Sequence, residues 1–148
     1  MKKQIRYLNT DLDLTAPFDL KPLAKAFAKS KVVALDVSEH SDGTWTAVFE
    51  ANAEFSSAEP TIVALLEAIE SFDSKARQIW SSCALRELNI GYDCGDEPRY
   101  FSNQLSVSTL FRMASLNIGL VVTLYPSHLQ DTQSQKAASK PKTKAKLQ

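Results

Sequence analysis

Polar and apolar residues alternate through Leu8, Thr10, Leu12 and Leu14, with Asn9, Asp11 and Asp13 between them. That period of two predicts a first strand with a sharply polar outer face. Pro17 ends it. Asp19 is placed to cap a helix in which Leu20, Leu23, Ala24 and Phe27 form the buried stripe, with Pro22 tolerated in the first turn. Val33, Leu35 and Val37 predict a second strand whose other side carries Asp36 and Ser38. Ser41-Asp42-Gly43 is a turn signal. Trp45, Ala47, Phe49 and Ala51 then alternate with Thr46, Val48, Glu50 and Asn52, so the second and third strands should pair as a hairpin.

Ser56 and Ser57 precede a helical pattern of Ile62, Leu65, Leu66 and Ile69 that continues through Phe72, Ala76, Ile79 and Trp80. Asp73-Ser74 can cap the chain afresh, so the pattern allows one helix or two. A fourth strand follows, with Leu88, Ile90 and Tyr92 opposed to Glu87, Asn89 and Gly91. Asp93 to Pro98 predicts a turn, with Gly95 supplying positive φ. Arg99 to Leu105 reads as a weak strand, because Ser102, Asn103 and Gln104 have little β preference. Ser106 should cap a helix that buries Val107, Leu110, Phe111 and Ala114 against a sheet. Asn117 or Gly119 ends this helix, Leu120 to Tyr125 forms a last strand, and Pro126 stops it.

The element order is therefore α+β: three split βαβ units forming one mostly antiparallel or mixed sheet with helices packed on one face. Strand order stays open. A chain of 148 residues with 44% apolar content suits one two-layer domain, expected over residues 1–128. The net charge of zero conceals a segregation. Residues 129–148 hold five of the 17 basic residues and one of the 17 acidic ones, leaving 12 and 16 in the body. With Leu129 and Leu147 as its large apolar residues, this Lys-rich C-terminal tail is expected to be disordered.

Several chemistries find little support. Four dispersed glycines, Gly43, Gly91, Gly95 and Gly119, make no phosphate loop, and no cofactor is expected. Cys83 and Cys94 are too few for a disulfide framework or a zinc site, and the acids beside Cys94 disfavour its thiolate. His40 and His128 lack a local triad or metal motif. Asp93, Asp96 and Glu97 could grip a hard cation, but the calcium-loop spacing is missing, so a solvated acidic turn is expected and no metal site. Trp45 and Trp80 lie on apolar stripes and read as core. The tail lysines lack arginine and aromatic neighbours, which argues against nucleic acid beyond weak phosphate contacts. No apolar run approaches the roughly eighteen residues of a membrane span, and polar Gln4 to Asp13 provides no signal-peptide core. A cytoplasmic protein, with no membrane partner, is expected.

The polar sheet face carries the most information. If the apolar sets face helices, then Asn9, Asp11, Asp13, Asp36, Ser38, Glu50, Asn52, Glu87 and Asn89 share one negative surface. Asp11, Asp13, Asp36 and Glu50 are the candidate partner-binding residues, with a basic protein as the partner they fit. No catalytic residue stands out. The leading expectation is a non-enzymatic protein-binding module. The alternative is a small enzyme or ligand-binding protein whose pocket assembles from sequence-distant residues.

The helix ending near Trp80, the strand LNIGYDCGDEP, the segment LSVSTLFRMASLNIGL and the closing strand VVTLYP together resemble an uncharacterised bacterial family. The likeness covers about residues 62–126. The family is known as a domain of unknown function, with small βαβ-repeat cytoplasmic members, some linked to toxin–immunity neighbourhoods. The resemblance implies the fold already read from the pattern. For function it suggests an immunity-type inhibitor, with no catalytic consensus to carry over.

Overall fold

The alternation at the start of the chain forms β1 (Arg6–Ala16), whose Thr10, Leu12, Leu14 and Ala16 are buried on one side. The computed structural model describes residues 1–126. The expected tail at 129–148 lies outside the described residues. A register shift between Tyr7 and Asn9 turns Leu8 outward and Tyr7 inward, where its hydroxyl meets Thr10 Oγ1 at 2.7 Å and Thr61 Oγ1 at 3.0 Å. α1 (Lys21–Phe27) buries Leu20, Leu23 and Phe27, while Asp19 accepts the Lys21 backbone N–H from just before the cap. β2 (Val32–Glu39) and β3 (Trp45–Ala51) form the expected hairpin.

Two helices, α2 (Ala58–Glu70) and α3 (Ser74–Ser82), replace the single long pattern, because the Asp73 carboxylate accepts Ala76 N–H and restarts the helix. β4 (Leu85–Asp93), α4 (Val107–Ser115) and β5 (Gly119–Tyr125) complete the order, with Asn117 at φ 60 ending α4.

These elements build one five-stranded mixed sheet, ordered β2-β3-β1-β4-β5. β1 pairs antiparallel with both β3 and β4, and β4 pairs parallel with β5. β3 thus lies between β1 and β2, and β1 between β3 and β4. The first two units are split βαβ units of ferredoxin-like order, and the third is an unsplit βαβ appended at the β4 side. Phe27 of α1 joins sheet to helices, with ring centroids 4.4 Å from Phe49 and 4.8 Å from Phe72. Trp45 and Trp80 are core, as the apolar stripes indicated. No helix among the described residues is long and apolar enough to cross a membrane.

Three segments also differ from the pattern read in the sequence. Residues 99–105 are not a strand; Phe101 packs edge-on to Tyr92 at 5.5 Å, and Asn103 Nδ2 donates to the Tyr92 hydroxyl. In β2 a bulge at Leu35 separates Ala34, opposite Phe49, from Asp36, opposite Val48. Val37 therefore faces the helices as expected, but Val33 lies opposite Glu50 on the other face and Leu35 is exposed. The third is α4, which is turned over. Thr109 and Met113 are buried, whereas Val107, Leu110, Phe111 and Ala114 are exposed, Phe111 by 70%. Two carboxylates of α2 set this orientation. Glu59 accepts Ser106 N–H at 2.7 Å, and Glu70 accepts Arg112 Nε at 2.9 Å.

Candidate partner-binding face

With the helices covering Leu12, Leu14, Phe49 and Leu88, the alternate residues of the same strands form an open face. Register fixes their neighbours. Asp36 lies opposite Val48, Val48 opposite Asp13, Asp13 opposite Glu87, and Glu87 beside Gly119. One row across the sheet thus carries three acids, and Asp13 and Glu87 are directly opposed. Asp11 is two residues along β1 from Asp13, with Glu50 on its β3 side. Asp11, Asp13, Asp36 and Glu50 all lie on this face. The first two and Glu50 form one group, while Asp36 stands two strands from Asp13 and accepts its bond from the Ser38 hydroxyl at 2.8 Å.

Glu87 belongs with them but was not among the candidates. Its alternation placed it on the polar side; only the β1–β4 pairing puts it against Asp13.

Like charges directly opposed on a sheet repel. Burial pushes the Asp11 carboxyl up from 3.8 to about 6, with the charges of Asp13 and Glu50 adding to the effect and an Asn9 hydrogen bond opposing it. Asp13 is raised as well, by burial and then by Glu87. Nothing basic on the strands answers these charges. The strands hold two basic residues, Arg6 and Arg86. Arg6 reaches Asp93 at 3.2 Å. Arg86 is on the helix side, where its guanidinium donates to the carbonyls of Trp80, Ser81, Cys83 and Asn117. None of the ion pairs among the described residues includes Asp11, Asp13, Asp36, Glu50 or Glu87.

The acids of the Asp93–Pro98 turn are built in differently from the solvated turn expected. Asp93 is buried between Lys3 Nζ at 3.0 Å and Arg6, and the Lys3 hydrogen bond leads in holding its carboxyl below the usual range. Lys2 pairs with Glu97 at 3.1 Å. Gly95 permits a close approach rather than a positive φ, since a Cβ there would meet the Lys3 and Gln4 backbone. Among the described residues no three of His, Cys, Asp and Glu are grouped as ligands for a metal ion. His40 Nε2 lies 2.8 Å from Thr46 Oγ1; His128 lies outside the described residues. Cys83 is buried, which pushes its thiol up.

A cleft of about 750 Å³ opens where β1 and β3 part beyond Leu12 and Phe49. Arg6, Asn9, Glu50, Asn52, Glu54 and Thr61 are among the residues that line it. It offers hydrogen-bonding groups and charge, but no His or Cys is in its wall to pair with a hydroxyl.

Comparison of the chain with protein-family models, with curated proteins and with solved structures finds no match.

Proposed function

We propose that this chain is a non-enzymatic protein-binding module whose open sheet face receives a basic protein partner. The observation that carries the proposal is a group of carboxylates, Asp11, Asp13, Glu50 and Glu87, held close without a strand cation; burial first, and then the charges of Asp13 and Glu50, push the Asp11 carboxyl up to about 6. Such a group destabilises the free protein, and a cationic surface docking on it relieves the repulsion. Complementary charge of this kind speeds association and weakens with salt. A cytoplasmic location and an immunity-type inhibitory role accompany this reading through the resemblance over residues 62–126.

The test is affinity capture from the native host with the wild type and with Asp11→Asn/Asp13→Asn/Glu87→Gln. The wild type is expected to retain a basic protein that the folded triple variant loses and that raised salt releases. Identical capture by both proteins would refute the proposal.

The cleft supports a second reading, binding of a small polar ligand between β1 and the segment after β3. Its size and its mixture of Arg6, Glu50 and amide side chains favour it. A Thr61→Leu variant would then lose ligand-induced thermal stabilisation while the triple variant kept it.

A further inference from the structure

The two edges of the sheet are built on opposite principles. At one edge β2 carries a bulge at Leu35 and the charges of Asp36 and Glu39. Bulges and edge charges keep a second chain from adding a strand. At the other edge β5 reads GLVVTLY, seven residues with no charge, no internal proline and an unshifted register against β4. No strand lies beyond it among the described residues.

β5 is also apolar on a face that should be covered. Leu120, Val122 and Leu124 lie beside Leu88, Ile90 and Tyr92 on the helix side, yet Val122 is 53% exposed, because α4 packs on α2 instead. Together with Phe101 and Leu105 they line an apolar groove of about 480 Å³. Tyr100, Phe101, Leu120, Val122 and Leu124 expose on the order of 500 Å², taking about 150–250 Å² for a whole aromatic side chain and less for Leu and Val; Tyr125 is exposed on the opposite face of β5. The outward face of α4 exposes Val107, Leu110 and Phe111 as well, and the exposed area of these large apolar residues of the α4–β5 unit totals roughly 900 Å². A monomer's largest apolar patch is typically about 300–600 Å², and a stable interface takes about 800 Å² from each partner.

We infer that β5 is a homodimer interface, pairing antiparallel with β5 of a second copy about a two-fold axis perpendicular to the sheet. A second copy fits because the strand is uncharged throughout. Whichever residue sits on the axis, no charge meets a like charge, and apolar side chains cover one another. The chain's own continuation is a poor occupant: Pro126 follows β5 at once, and residues 127–148 hold Leu129 and Leu147 as their large apolar residues. The dimer joins two five-stranded sheets and sets both acidic faces on the same side.

Sedimentation equilibrium of the full chain, with circular dichroism, tests this. The wild type should show twice the 16.4 kDa chain mass at micromolar concentration. Val122→Lys should keep the wild-type spectrum and weaken association by about 100-fold or more, since it adds charge at the paired strands. Leu35→Lys, on the guarded edge, should leave the mass unchanged. Hydrogen exchange on the wild type answers even if Val122→Lys fails to fold, because β5 amides should gain protection as concentration rises. A wild type of single-chain mass at about 100 μM, a folded Val122→Lys that stays dimeric, or β5 protection independent of concentration would overturn the inference. The last result would assign the edge to the chain's own C-terminal segment.

Discussion

Two groups of acids lie at the same sheet and have opposite fates. Asp93, Asp96 and Glu97 sit in the turn after β4, where the N-terminal residues pair with Asp93 and Glu97 and the Lys3 backbone N–H donates to Asp96. Asp93 holds Lys3 and Arg6, Glu97 holds Lys2, and the Lys3 carbonyl accepts the backbone N–H groups of Asp96 and Glu97. Asp11, Asp13, Glu50 and Glu87 sit across β3, β1 and β4 with no strand cation beside them. Asp93 is held below the ordinary carboxylate range and Asp11 is pushed up to about 6. The turn uses its charge to close the fold. The face keeps its charge against the fold's interest, which is why the proposed partner is placed on the face and not on the turn.

The largest effect expected is at Gly95. A methyl group at Gly95→Ala would strike backbone atoms of Lys3 and Gln4, which cannot rotate away, so the turn must part from the N-terminal segment. A loss of about 1–3 kcal/mol in urea unfolding is expected. Asp93→Ala should lower Tm by several degrees, because it removes the carboxylate that accepts from both Lys3 Nζ and Arg6. An unchanged Tm would erase the contrast between the two groups. Asp11→Asn should move the other way, stabilising the protein at pH 8 by about 1 kcal/mol once solvent screening of this half-exposed group is allowed for. Lys2→Ala should matter least, under about 0.5 kcal/mol, since its pair with Glu97 is largely exposed. Denaturant midpoints measured side by side order the four.

The contrast was half legible in the sequence. Strict alternation in β1, β3 and β4 put the acids on the polar side, and local signals at Asp73 and Ser106 placed helix starts, because each is decided within a few residues. The partners of the acids are not local. Lys3 and Arg6 reach Asp93 across about ninety residues, as the separations of 90 and 87 positions show. Glu87 joins Asp13 only through a strand order that periodicity does not encode. The same limit explains α4. Its apolar stripe is genuine, but Glu59 and Glu70 on α2 hold its polar side inward, so the stripe faces out. In β2 one inserted residue at Leu35 restored Asp36 to the open face while sending Val33 there too.

The pH dependence of unfolding reads how far the open face opposes ionisation of Asp11, through burial first and the neighbouring charges of Asp13 and Glu50 second. Free energies of urea unfolding would be measured from pH 4 to 8 for the wild type, Asp11→Asn and Asp93→Asn. A carboxyl whose pKa is raised by folding stabilises the protein below its unfolded value, and that contribution is lost as pH rises through its folded value. Asp11→Asn should therefore exceed the wild type by about 1 kcal/mol at pH 8, with the gap closing as pH falls through about 6 and gone near pH 4. Asp93→Asn should show the reverse: a deficit at neutral pH that begins to close only as pH falls toward 4 and below. An Asp11→Asn protein no more stable than the wild type at pH 8 would contradict the account.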